Sequence, residues 1–182
     1  MTCQDAIKNK EGDFKQVNLY FEDESRFGLF TRNGKALTAK SVKPICPFQH
    51  IFQSTWIFGA FSPIDGSSLM LELPNCNTDN FQIFLNEFSK QNPDELKLTV
   101  LDNGAFHKAQ SLIIPNNVIL IFLPPYSPEL NPAEKIWAKF KRDFTNRLFP
   151  TMEQLCEYVI QLANSLTANE VISPNRVPGS DG

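Results

Sequence analysis

The chain has 182 residues, 42% of them hydrophobic and 20% charged, and 16 are phenylalanine. This excludes a wholly disordered chain and supplies core for one compact domain. The net charge of −3 gives no overall attraction to nucleic acid, Val118–Leu123 is too short an apolar run to span a membrane, and Met1–Asp5 is no secretory signal. Residues 1–16 are polar and read as an irregular N-terminal segment. Val17 to Asp23 alternates as a strand, with Arg26–Phe30 as its partner; Asn33-Gly34 is a turn signal. Residues 36–50 carry no clear pattern. Trp56–Phe61 and Leu69–Leu73 form two more strands around the Pro63–Gly66 turn. A helix follows from about Asp79: Phe81, Phe84, Leu85 and Phe88 recur at helical spacing, with Thr78 as cap. Leu96–Leu101 and Val118–Leu123 are short apolar strands of the kind that sits at the centre of a sheet. A helix spans about Pro132–Leu148. Thr151-Met152-Glu153-Gln154 is a capping box opening a further helix to about Leu166. Residues 168–182 are expected to form a disordered tail. Strands followed by helix–strand–strand–helix–helix predict an α/β architecture, a mixed sheet with helices on its faces.

Charge is uneven along this order. From Lys135 to Arg147, five basic residues face only Asp143, a local +4 on an otherwise acidic chain. Lys135, Lys139 and Arg142 form a strip on the predicted helix that is either a solvated face or a phosphate-binding one. The cysteines Cys3, Cys46, Cys76 and Cys156 are scattered without a C-x-x-C pair. Reduced thiols in a cytoplasm are the expectation, and Cys46 with His50 makes a poor zinc site because only His107 remains as a further histidine.

Three carboxylates stand out. Asp23 shares its strand face with Val17, Leu19 and Phe21, and an acid on an apolar face needs a partner or a metal. Glu22 and Glu24 fall on the other face and read as solvent-side acids. Asp102 follows a buried-type strand, where α/β sheets place ligands, although Asp-Asn-Gly is also a common turn. Glu134 sits three residues after Asn131, either closing a capping box or looking across at the sheet; Ile136, Trp137, Phe140 and Phe144 form the apolar arc beside it. If the three converge at one sheet edge they repel one another when ionised, and hard divalent cations relieve that repulsion.

At these residues the sequence resembles a known family. Phe21-Glu22-Asp23-Glu24-Ser25-Arg26-Phe27, Leu101-Asp102-Asn103-Gly104-Ala105-Phe106-His107 and Leu123-Pro124-Pro125-Tyr126-Ser127-Pro128-Glu129-Leu130-Asn131-Pro132-Ala133-Glu134-Lys135-Ile136-Trp137 are similar to the DDE transposases of the mariner superfamily, bacterial insertion-sequence branch. The third segment is long and compositionally unusual; the resemblance covers about residues 17–165, within a catalytic domain placed at 17–167. It implies a ribonuclease H-like fold, a central mixed sheet with helices on both faces. It implies cleavage and transfer of DNA strands with Mg²⁺ or Mn²⁺, two ions, held by Asp23, Asp102 and Glu134. Asn103 and His107 match positions next to the second acid and would support it or touch DNA. Lys135, Lys139 and Arg142 would contact phosphates, and Pro124, Pro125 and Pro128 would stiffen the loop that delivers Glu134.

The expected partners are DNA, at transposon ends and target, and a second copy of the chain on that DNA. Helix-turn-helix domains usually precede this catalytic domain, and about 16 residues cannot build one. A separate helix-turn-helix domain or chain is therefore expected, with a cytoplasmic, nucleoid-associated site of action. The interval between Asp102 and Glu134 is slightly short for the family. An inactive or fragmentary remnant and another ribonuclease H-like endonuclease are the alternatives; a serine hydrolase using Ser127 and His107 lacks the Gly-x-Ser-x-Gly elbow.

Overall fold

A single long strand organises the molecule. The computed structural model describes residues 14–30, 49–124 and 130–174. Within them β1 runs unbroken over Gln16–Gly28. Arg26–Phe30 is therefore not a hairpin partner of Val17–Asp23. Its residues continue the same strand and pair with β2 (Ser54–Phe61), Arg26 opposite Trp56. The expected turn at Asn33-Gly34, Cys46, and Pro125, Tyr126, Ser127 and Pro128 lie outside the described residues.

β2 returns through the Pro63–Gly66 turn into β3 (Ser68–Leu73). Gly66 has φ +78°, a left-handed conformation that side chains resist. Helix α1 (Thr78–Lys90) buries Phe81, Phe84, Leu85 and Phe88 as their spacing predicts, but its cap is Asn77, whose Oδ1 accepts from the Asn80 N–H at 2.9 Å. β4 (Glu95–Leu101) and β5 (Val118–Phe122) flank a short 3₁₀ turn, Ala105–Lys108. The two last long helices are α2 (Ala133–Phe144) and α3 (Met152–Ser165), the latter capped by Thr151. A short helix α4 (Ala168–Ile172) stands where a disordered tail was expected, because Thr167 and Glu170 close a capping box and Val171 enters the core.

The sheet order is β3-β2-β1-β4-β5. β2 is antiparallel to both its neighbours, whereas β1, β4 and β5 run parallel. Two cores cover the two faces. One joins Tyr20, Phe58 and Leu101 to the phenylalanines of α1. The other joins Phe27, Ile57 and Phe61 to Ile136, Trp137, Phe140 and Phe144 of α2 and to α3 and α4. This is the mixed sheet with helices on both faces that the resemblance implied. Among the described residues no helix is long and apolar enough to cross a membrane.

Candidate active site

Strand register brings the first two acids together. In the parallel β1–β4 pair, Phe21 lies opposite Val100. Two residues on, Asp23 inside β1 comes level with Asp102, the first residue past the carboxyl end of β4; adjacent strands in a sheet are about 4.8 Å apart. On the other side of β1, Asp23 lies opposite Gly59. A Cβ built on Gly59 would come within 2.7 Å of the Trp137 ring. The missing side chain lets α2 seat its tryptophan against the sheet beside Asp23. Trp137 is buried, with its ring centroid 5.4 Å from Phe61 and 5.7 Å from Phe140, so it is core and not a stacking platform.

The first turn of α2 carries Glu134, exposed at the helix start, where the helix dipole favours a carboxylate. The expected capping box is replaced by a different device. Asn131 Oδ1 accepts from the Ala133 N–H at 3.0 Å, and Asn131 Nδ2 donates to the Glu22 carbonyl at 2.9 Å. Buried Asn131 thus fastens the start of α2 to β1 one residue from Asp23.

The electrostatics record the convergence. Burial pushes the Asp23 carboxyl up to about 7, and the charges of Glu24, Glu134 and Asp102 push the same way against a backbone hydrogen bond at Glu24. Acids 23, 102 and 134 therefore act on one another although they are far apart in sequence. Mutual repulsion of this kind is what a bound divalent cation removes.

The opposite face of β1 holds what sequence reasoning missed. Glu22 and Glu24 are not solvent-side acids: the Glu22 side chain is fully buried and that of Glu24 is 8% exposed. Burial first, then the charges of Glu24 and Asp23, the close approach of the Glu24 carboxyl as a side-chain hydrogen-bonding partner, and the charge of Asp102, hold Glu22 well above the usual carboxylate range. His107, also buried, lies between them and the second acid. Its Nδ1 is 2.9 Å from Asp102 Oδ1, its Nε2 is 2.8 Å from Glu24 Oε1, and Glu22 Oε2 is 3.7 Å away. Asp102 Oδ1 also accepts from the Gly104 N–H at 2.7 Å. The signal was present in Tyr20: an aromatic on the even-numbered face of a long strand makes that face interior too.

The remaining expected site residues divide. Asn103 donates to the Leu123 carbonyl and accepts from Lys108, tying the exits of β4 and β5 together. Lys135 is exposed, and the Arg142 side chain is 75% exposed with only a loose approach to Asp143 at 3.9 Å. Lys139 instead pairs with Glu170 of α4 at 2.5 Å, so the structure gives it an internal partner.

Comparison with known proteins agrees with this architecture. The family model described as DDE superfamily endonuclease matches residues 18–156. The uncharacterized protein y4pE/y4sA of Sinorhizobium fredii (strain NBRC 101917 / NGR234) is 37% identical over 114 residues, 61% of this chain and 84% of that protein. Among solved structures, the Mos1 transposase paired-end complex with left transposon end matches with TM-score 0.65 at 13% identity, over 85% of this chain and 50% of that one. The Mos1 mariner paired end complex with Mn gives TM-score 0.66 at 14% identity, over 85% and 50%. The sheet and helices thus take the ribonuclease H-like fold of the Mos1 chains they match. The chain belongs to the DDE superfamily endonucleases, and it spans about half the length of the Mos1 chains it matches.

Proposed function

We propose that this domain cuts DNA strands at transposon ends and joins them to target DNA, using Asp23, Asp102 and Glu134 to hold two Mg²⁺ or Mn²⁺ ions. The observation that carries the reading is the parallel β1–β4 register, in which Asp23 and Asp102 lie two residues beyond the Phe21–Val100 pair; burial first, then the charges of Glu24, Glu134 and Asp102, raise the Asp23 carboxyl. When bound, divalent ions supply Lewis acidity at the phosphoryl oxygens and lower the pKa of attacking water. The chain supplies the rest. Asp23 and Asp102 are fixed by strand register, and Glu134 is fixed by the Asn131 fastening. His107 and the Gly104 N–H hold one oxygen of Asp102. Exposed Lys135 and Arg142 steer the phosphate backbone, which contributes affinity and not sequence choice.

In the first step water oxygen attacks phosphorus, a P–O bond is made, and the bond to the 3′-oxygen breaks to free a 3′-hydroxyl. In the second, that hydroxyl attacks a target phosphodiester and the target's own 3′-oxygen leaves. Cutting at paired ends calls for two copies of the chain on DNA. End recognition calls for a helix-turn-helix domain or chain.

The test uses supercoiled plasmid with Mn²⁺ or Mg²⁺. Nicking that falls by about 10³-fold or more in Asp102→Asn supports the reading, by the size of loss expected when a group acting in the transition state is removed. Nicking unchanged in that variant would sink it. Joining of a pre-cut 3′ end to plasmid then separates strand transfer from simple hydrolysis.

A further inference from the structure

The face of β1 turned away from Asp23 carries two acids, Glu22 and Glu24, that the proposed function does not use, beside the His107 ring that holds Asp102. We propose that Glu22, Glu24 and His107 form a second cation site, holding one divalent transition-metal ion behind the catalytic centre. One ligand atom from each of the three residues lies within 4.8 Å of the other two.

Three features lead there. The first is an orphan. Both Glu22 oxygens are buried and neither has a hydrogen-bond partner. A carboxylate in that state is costly, and a cation is one of the few things that can compensate it. The second is spacing. Nε2 of His107 stands 2.8 Å from Glu24 and 3.7 Å from Glu22. Ligands at about 2.0–2.2 Å around a tetrahedral ion are roughly 3.4 Å apart, so small side-chain shifts would close the three around a metal. The third is the other imidazole nitrogen. Metal-binding histidines usually donate their free N–H to a carboxylate, which sets the tautomer and aims the lone pair at the ion. Asp102 stands at Nδ1 in that position.

The donor set has one nitrogen and two carboxylates in a nearly dry place. This suits Zn²⁺, Co²⁺ or Mn²⁺ better than Mg²⁺, which keeps several waters. Such an ion would sit on the far side of β1 from Asp23 and would stiffen Asp102 through His107. The competing arrangement is a proton shared between Glu22 and Glu24, with no ion at all. The two make opposite predictions for metal uptake.

The experiment titrates the full-length chain with Co²⁺ and Zn²⁺ in an Asp23→Asn/Glu134→Gln background, which disables the catalytic set but keeps Asp102 on His107. One Co²⁺ per chain should still bind, with visible absorption bands of an ordered low-coordinate site. Adding Glu22→Gln should lower that affinity by at least about tenfold. Mn²⁺ bound in the same background should show coupling to a histidine nitrogen that disappears in His107→Gln. Circular dichroism confirms that each variant is folded. No ion in the double variant, or affinity unaltered by Glu22→Gln, overturns the proposal and favours the shared proton. Failure of the catalytic reading looks different: wild type and double variant would then bind equal numbers of ions.

Discussion

Two buried acids on the same face of β1 and its neighbour meet opposite treatment. At the start of the parallel strands, Glu95 is buried but fully served. Tyr20 donates to it at 2.9 Å, Gln16 at 2.8 Å and Asn18 at 3.3 Å, and the buried ammonium of Lys97 lies 3.6 Å away. About 20 Å along the strand, Glu22 is equally buried but its carboxylate accepts no hydrogen bond among the described residues, and the one basic group near it there is the His107 ring, with Nε2 3.7 Å away. Its neighbours are Glu24, Asp23 and Asp102, and each raises its pKa. The chain knows how to neutralise a buried acid with its own residues and does so where the acid is structural. At the other end four acids, Glu22, Asp23, Glu24 and Asp102, gather around a single histidine, His107.

The sharpest way to break this contrast is to damage the served end. Glu95→Ala should strand the Lys97 ammonium in the core and destabilise the protein by about 3–5 kcal/mol in urea unfolding. Glu22→Gln should do the reverse and stabilise the metal-free protein at pH 8. If both substitutions destabilise equally, the two ends do not differ in kind.

Next in size is the response to pH. The folded-state pKa of Asp23 lies at about 7, above its ordinary 3.8. Between those values the unfolded chain binds fewer protons than the folded one, so stability falls as pH rises from about 4 to about 7. The loss from Asp23 alone is on the order of 4 kcal/mol, at about 1.4 kcal/mol per unit, and Glu22 adds to it in the same direction. Thermal melts of metal-free protein should show the decline, Asp23→Asn should flatten it, and Mg²⁺ or Mn²⁺ should raise the melting temperature more at pH 8 than at pH 5. A melting temperature flat across that range would contradict the account.

Asn131→Ala removes two hydrogen bonds and should cost about 2 kcal/mol. Plasmid nicking by the folded variant should fall further than its folded fraction does, because Glu134 is no longer held to β1. The smallest effects belong to the basic strip. Lys135→Ala and Arg142→Ala should each weaken DNA binding and lower the salt slope by about 1. Lys139→Ala should leave the slope alone and loosen α4, as its partner Glu170 is on that helix.

Much of this was legible in the sequence, for identifiable reasons. The strands Leu96–Leu101 and Val118–Leu123 declared themselves because wholly apolar runs suit a sheet covered on both sides. Phe81, Phe84, Leu85 and Phe88 fixed α1 through their spacing. The three acids were singled out partly because their segments resemble a family and partly because Asp23 and Asp102 read as strand ends; Asp102 does follow β4, but Asp23 lies inside β1. The misreadings of β1 share one cause. Alternation of Val17, Leu19 and Phe21 suggested one inner face, but β1 is the middle strand and both its faces are covered. Val17 is 51% exposed, whereas Tyr20 is fully buried. Which strands flank β1 is a long-range property, and with it went the burial of Glu22 and Glu24. The Thr167–Glu170 box escaped notice because a five-residue helix has too short a period to register.

The Asn131–Glu22 hydrogen bond spans 109 positions of chain. Contacts of such long range form late, since a large loop must close before they give any return. A polypeptide emerging from the ribosome therefore displays its first two acids well before the third is tethered. On the proposed reading, a prematurely terminated product lacking α2 would lack Glu134 and so could not act as a nuclease.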